Sequence, residues 1–391
     1  AATSLLQTYG LNIEFFSLTR APGGTLGNRN FIAHVAAFGF PLLLMAAMQA
    51  QRRGAYLRWA IGTALVFTSL VLTRSRAAWL AFAAVVIVIV VSMFFCAALR
   101  RDRHTWKRLS GIVVLAAACV ALSLLLPNAL RWRGNNPYLE SMTRITEYSE
   151  GSGRGRLVQY GRSLLMAIRH PLFGVGPGNW PVIYPSRVPA NDPSLDQTNA
   201  GMTSNPWPSS DWIACIAERG VAAFVLLALV FFRLAKRGLR QLRNAIDAQE
   251  GLAAAALLGI VAGAIVAGTF DAVLLLAVPA FLVWAALGAL WIPDDVQPRR
   301  AWSVVVLLAI LALPIAGVVR SASQLLAMDI YATHSDRAAL VNAARIDPGN
   351  YRLRLRLAHM GGRARCENAR AAHALLPSAR AAVEASRGCG K

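Results

Sequence analysis

Between Phe31 and Val319 the charged residues fall in clusters, and the stretches between them stay uncharged for close to the ~20 residues that a helix needs to cross a bilayer. A backbone without water around it must satisfy its own hydrogen bonds, so stretches of this kind fold as helices. The pattern predicts an all-α, polytopic membrane bundle with eight spans, at 31–50, 55–73, 77–99, 109–130, 212–232, 251–270, 272–292 and 301–319. The 391 residues then divide into an outer N-terminal segment (1–30), four spans (31–130), a long loop (131–211), four more spans (212–319) and a tail (320–391). With 56% of residues hydrophobic and 15% charged, a soluble enzyme is excluded as the default.

The net charge of +21 resembles that of a nucleic-acid binder, yet of the forty basic residues only Lys107, Lys236 and Lys391 are lysines. Their placement explains most of the charge without nucleic acid. Short connections carry their excess of Lys and Arg on the cytoplasmic side. Four connections follow that rule: Arg52, Arg53 and Arg58; Arg100 to Arg108; Arg233 to Arg243; and Arg299 with Arg300. The N-terminal segment, the 73–77 connection, the 128–211 loop, the turn at Asp271 and the tail are therefore expected to face outward. Arg74 and Arg76 are basic on that outer side, which marks them as functional charges. The chain opens at Ala1 with no signal peptide of the usual form, so either its start is processed or, the favoured expectation, further spans precede it.

A loop of more than eighty residues is functional more often than passive. This one holds Trp132, Tyr138, Tyr148, Tyr160, Trp180, Tyr184 and Trp207, with Trp212 at its exit, together with eight arginines and no lysine. Aromatic faces pack on the C–H faces of sugars, and guanidinium forks bind phosphate oxygens in two-point fashion, so the mixture fits a glycan carried on a phosphate. An aromatic belt at the membrane interface is the plainer explanation for some of these rings.

Within the loop, 154–170 has helical character, stopped by Pro171 and the glycines after it. At about 100° per residue, Leu157, Tyr160, Leu164 and Ile168 share one arc and Arg154, Arg162 and Arg169 another. Arg156 falls beside the apolar arc, where a charge meets a lipid phosphate. The helix is expected to lie in the membrane interface. The loop closes with Asn205 to Trp212, NPWPSSDW, whose serines can cap the next helix. Asp211 and Glu218, seven residues apart, then share nearly one face of that span. Each has a structural alternative, as a first-turn charge and as an ion pair with Arg219.

The tail repeats alanine-rich helices with proline stops about thirty residues apart, which predicts a helical hairpin like tetratricopeptide units. Cys366 and Cys389 both fall there, on an oxidising side if the membrane is a bacterial inner membrane, and are expected to form a disulfide. Cys96, Cys119 and Cys215 lie in spans as small packing residues. No Cys/His spacing suggests a metal site.

Four stretches, in this order, resemble the family of bacterial O-antigen ligases and polymerases and the related protein O-glycosyltransferases. They are GNRNFIAH at 27–34, LTRSRAAWLA at 72–81, RLVQYGRSLLMAIRHPLFGVGPGNW at 156–180 and SSDWIACIAERG at 209–220. The resemblance covers roughly 27–291. It implies a glycan moved from undecaprenyl diphosphate to an acceptor hydroxyl on lipid, sugar or protein, at the periplasmic face of the inner membrane, without metal or nucleotide cofactor. The leaving diphosphate then needs side-chain cations. The family's arginines map onto Arg76, with Arg74 beside it, and onto Arg156. Substrate contacts are expected from Arg154, Arg162, Tyr160, Trp180, Tyr184, Trp207, Trp212, Glu218 and His34. Many members carry a histidine where this chain has Ser209 and Ser210, and that histidine is assigned as the base. Asp211 is its first replacement here, with His34 and His170 behind it. Two other classes stay open: a transporter or flippase of lipid-linked glycans, and a non-catalytic partner in polysaccharide export.

Overall fold

The computed structural model describes residues 1–14, 16–130, 132, 136–143, 151–189, 191–196, 202–291 and 300–389. Tyr148 and Arg299 lie outside them. Among the described residues the chain is helical, with one isolated bridge between Leu195 and Thr203. It divides into two compact units, Ala1–Gly174 with Trp207–Ile292, and Val175–Pro206 with Pro293–Lys391.

The first unit is built on α1 (Arg29–Gln49), α2 (Arg53–Leu72), α3 (Arg76–Phe95), α4 (Arg103–Leu125), α5 (Gly151–Arg169), α6 (Asp211–Asn244), α7 (Ala248–Phe270) and α8 (Ala277–Trp291). Of these, α1 to α4, α6 and α7 are long and apolar enough to cross a membrane, and α8 is a shorter apolar helix. The expected eighth span falls inside a longer helix of the second unit. Large apolar side chains such as Ile87, Phe95, Val114, Leu125, Leu226 and Phe281 stand exposed on these helices, a surface that water does not tolerate and lipid does.

Lipid tails are as apolar as leucine, so the helices are held by close packing rather than by exclusion from water. The sequence provides for this with small residues. Along α7 the buried Ala255, Gly259, Gly263, Ala264 and Ala267 present almost bare backbone. A Cβ on Gly263 would come within 2.8 Å of a Val85 methyl, and Ala81 of α3 lies beside it. Two apolar clusters run along the bundle, one around Phe38, Leu70, Ile260 and Val283 and the other around Leu44, Val85, Met93 and Leu252.

Several expected spans differ in their limits, the one expected at 109–130 running over Arg103–Leu125, and three of the differences have a visible cause. The span expected at 77–99 stops at Phe95. A short helix, Ala97–Arg101, follows, because Asp102 caps α4 by accepting from the N–H groups of His104 and Thr105. The span expected from residue 272 begins at Ala277, since 271–276 is a turn whose N–H groups are claimed by side chains.

The span expected at 212–232 extends over Asp211–Asn244 and breaks at Gly220, with φ 81° and ψ 176°. Into that break fits the turn that ends α5. The Val221 N–H donates to the Pro171 carbonyl at 2.8 Å. A Cβ on Gly220 would collide with the Leu172 carbonyl, and one on Gly174, at φ 63°, with the Glu218 backbone. Both glycines have left-handed φ and both face backbone at contact distance, so neither position accepts a side chain.

In the second unit, four short helices, Arg337–Ile346, Tyr351–His359, Arg365–Leu375 and Arg380–Ser386, follow a long one, Arg300–Thr333. Asp336 and Asn350 cap two of them through Ala339 N–H and Leu353 N–H. Their core is built of Ala327, Leu340, Ala343, Leu353 and Leu357. Cys366 and Cys389 are joined by a disulfide.

Candidate functional site

The starts of α1, α3 and α6 and the ends of α2 and α7 lie at one end of the first unit, and the polar side chains of the bundle gather there. Asp211, the first residue of α6, is 4% exposed. Its Oδ2 accepts the Val273 N–H at 2.9 Å and its Oδ1 the Leu274 N–H at 2.9 Å, so both oxygens are committed to the 271–276 turn. The Ser210 hydroxyl beside it donates to the Gly268 carbonyl at 2.7 Å and caps α6.

The same turn carries Asp271. Its Oδ2 accepts from His34 Nε2 at 3.1 Å, and its Oδ1 accepts the Ala272 N–H at 2.9 Å. His34 is fully buried, whereas the Asp271 side chain is 18% exposed. Burial pushes the Asp271 carboxyl upward, but the hydrogen bond and charge of His34, then the charge of Arg156, hold it below its ordinary value.

That influence of Arg156 follows from how α5 is held. The single proton of the Tyr160 hydroxyl is shared between the Ser209 carbonyl at 2.5 Å and the Thr269 carbonyl at 3.0 Å, and Gln159 Oε1 accepts the Ser209 N–H at 2.7 Å. Arg156 is one turn back from Tyr160 on the same face and is half-buried, while Arg154 and Arg162 are exposed. The face of α5 turned into the protein is Gln159, Ser163, Met166 and Ala167. Leu157, Leu164, Leu165 and Ile168 are exposed on the other side, which agrees with an interfacial helix except that Tyr160 belongs to the protein-facing stripe.

A second cationic group lies at the same end. Arg74 occupies the turn before α3 with φ 54°, a left-handed conformation unusual for arginine. Its Nε donates to the Ser141 hydroxyl at 2.9 Å, and its guanidinium lies 4.8 Å from the centre of the Trp132 ring. The guanidinium of Arg29 lies 4.9 Å from the centre of the same ring. Burial lowers the pKa of Arg74, opposed by Tyr138 and Glu140. Among the described residues, no carboxylate comes within ion-pair distance of Arg29, Arg74 or Arg156. Arg76, the first residue of α3, is half-buried.

Several expected substrate contacts have other duties. Trp180 and Tyr184 are fully buried in the second unit, with ring centres 4.6 Å apart, and the Tyr184 hydroxyl donates to Asp192 at 3.2 Å. Rings packed in this way offer no face to a sugar, and that expectation is corrected. The Trp212 indole donates to the Ile265 carbonyl at 3.1 Å and meets Phe231 edge-on, which makes it a tie between α6 and α7. Glu218 is buried next to the α6 break, 3.5 Å from Arg219. Trp207 is half-buried, and His170 is exposed.

Sequence reasoning missed Arg29 and Asp271. Arg29 stood inside the GNRNFIAH stretch without being singled out. Asp271 is the one charge between two apolar runs, a signal that could have been weighed as Arg74 and Arg76 were.

No curated protein of known function matches the chain significantly. The family model described as O-antigen ligase matches residues 61–228, a stretch that contains Arg74, Arg76, Arg156 and Asp211. Residues 61–228 are thus similar to the O-antigen ligase family, and the apolar helices make the chain a multi-pass membrane protein.

Proposed function

We propose that this protein is a membrane glycosyltransferase that moves a glycan from undecaprenyl diphosphate to an acceptor hydroxyl, at the end of the bundle where Arg74, Arg76 and Arg156 lie. In this reading that end faces the periplasm of a bacterial inner membrane. When the bond between the anomeric carbon and phosphate oxygen breaks, the lipid diphosphate gains charge, and half-buried guanidinium groups stabilise it. Arg76 and Arg156 supply that stabilisation. Arg74 and Arg29, stacked on Trp132, hold the pyrophosphate or its first sugar, and Arg154 and Arg162 meet lipid headgroups. Asp211 takes the role of anchor for the 271–276 turn, because its oxygens are already occupied.

The observation that carries this reading is the anchoring of α5. Two side chains at its middle, Gln159 and Tyr160, tie it to Ser209 and Thr269, and so bring Arg156, which among the described residues has no carboxylate within ion-pair distance, to the polar end of an apolar bundle. A desolvated cation of that kind is expensive unless an anion joins it.

A transporter of the same lipids would use broken helices, and α6 is broken. The break, however, is filled by the Pro171–Gly174 turn and its Val221 N–H is satisfied, so it lines no path. Transferase and transporter are separated by supplying the purified chain with lipid-linked glycan and the acceptors present in membranes of the source organism. Arg156→Ala and Arg76→Ala are expected to lose transfer by at least a hundredfold while the protein stays monodisperse. Normal transfer by both variants would remove the reading.

A further inference from the structure

We propose that Asp271 is the group that accepts the proton of the acceptor hydroxyl, and that His34 is its positioning residue. The inference rests on the transfer reaction proposed above and names the base which that reaction needs.

The position expected for a family histidine is occupied by Ser209, and the backbone of Ser209 lies beside the start of the 271–276 turn. The proton of one hydroxyl, that of Tyr160, is shared between the carbonyls of Ser209 and Thr269, and Thr269 is two residues from Asp271. Of the two aspartates that meet at the 271–276 turn, Asp211 is enclosed and has both oxygens bound to N–H groups of the turn. Asp271 is the one with an exposed edge. Each of its oxygens accepts a single hydrogen bond, from His34 or from Ala272, which leaves lone pairs for an incoming hydroxyl.

The His34 ring adds a second observation. Its Nε2 faces the carboxylate and carries the proton there, and Nδ1 is buried with no hydrogen-bond partner among the described residues. A buried nitrogen without a partner carries a desolvation cost that a mere tie between α1 and α7 does not require. The arrangement makes sense if the task is to fix one oxygen of Asp271 so that the other points towards the acceptor.

The step balances. The acceptor oxygen forms a bond to the anomeric carbon as the bond from that carbon to the phosphate oxygen breaks. The electron pair leaves with the lipid diphosphate, held by Arg156, and the acceptor proton passes to an Asp271 oxygen, from which it is lost to solvent. Arg156 and Asp271 thus serve opposite ends of one displacement, and the charge of Arg156 already reaches Asp271.

The test uses the purified full chain added to solubilised membranes of the source organism lacking its own copy, with undecaprenyl diphosphate alone as the binding probe. Asp271→Asn is expected to lower kcat by about a hundredfold or more, the range of general-base catalysis, while apparent KM and affinity for undecaprenyl diphosphate stay within threefold of wild type. His34→Gln is expected to lower kcat about tenfold at unchanged KM, since glutamine can donate the same hydrogen bond less rigidly. Asp271→Glu, which keeps the charge, should fall between wild type and Asp271→Asn. The proposal is overturned if Asp271→Asn keeps a third of wild-type kcat, or if kcat, KM and thermal stability all fall together, as they would for a structural tether. Active wild type with an inactive Arg156→Ala and an active Asp271→Asn would sink this proposal alone. Wild type that neither transfers nor binds undecaprenyl diphosphate would sink the functional reading with it.

Discussion

Arginine is used in two ways at the two ends of the first unit. At the end where α1, α3 and α6 finish, Arg52, Arg53, Arg58, Arg100, Arg101, Arg103, Arg233, Arg240 and Arg243 are exposed. At the other end Arg29, Arg74, Arg76 and Arg156 are half-buried, and two of them share one tryptophan ring. A charge in water costs little and is worth little to its neighbours. A half-buried charge is costly in the empty protein and correspondingly strong towards an anion that reaches it. The first set can therefore direct insertion and the second can bind, although both come from the same residue type in the same chain.

The largest effect expected from breaking this contrast comes from replacing both stacked arginines by lysine. Lysine keeps the charge but loses the planar face and the two-point geometry. Charged hydrogen bonds to phosphate are worth about 1.5–3 kcal/mol each, so the Arg29→Lys/Arg74→Lys double variant, with the two-point geometry gone, should bind undecaprenyl diphosphate on the order of a hundredfold more weakly. The lost stacks on Trp132 should lower thermal stability as well, by about 0.5–2 kcal/mol each. If affinity in reconstituted membranes stays within threefold, the pair is packing and not binding.

How far this contrast could be read without the structure depends on the range of each interaction. The spans and α5 are legible because helical apolar patterning is local, and so are the serine cap of α6 and the proline stop at 171. Arg74 and Arg76 stood out because they broke a charge rule, and Arg156 because it fell beside the apolar arc of its helix. The pairing of His34 with Asp271 spans 237 positions, and the Asp211 contacts with the 271–276 turn span about sixty. No periodicity encodes such pairs. The same is true of the Gly174 and Gly220 clasp, where each glycine is explained only by backbone from the other segment. Trp180 and Tyr184 were misread because an aromatic in a loop has the same letter whether it packs a small core or faces a sugar.

An intermediate effect is expected at Arg108, which departs from the pattern of its own end. Its Nη1 donates to the Met48 carbonyl at 2.6 Å, its guanidinium lies 5.1 Å from the Tyr56 ring centre, and the Tyr56 hydroxyl donates back to the Arg108 carbonyl. Arg108→Ala should remove about 1–3 kcal/mol of stability, the worth of a charged hydrogen bond and a stack. It should leave transfer per folded molecule unchanged, because no substrate is expected there. Thermal unfolding in detergent beside the transfer assay separates the two. A loss of kcat at constant stability would mean that chemistry reaches this end as well.

The smallest effect is expected from Arg100→Gln/Arg101→Gln. Both side chains are exposed in the short helix after α3, so stability should change by less than about 0.5 kcal/mol. Activity per correctly inserted molecule should equal wild type. What can change is the fraction inserted correctly, since basic residues clustered in a short connection favour its retention on the cytoplasmic side. Arg103, Lys107 and Arg108 remain in the same connection, so that fraction should fall only slightly. Labelling single cysteines placed in the 100–108 connection and in the tail, from each side of sealed vesicles, reads it directly. A double variant that inserts normally but transfers poorly would contradict the division of arginines into orienting and binding sets. Poor insertion with normal specific activity would support it at the level of single residues.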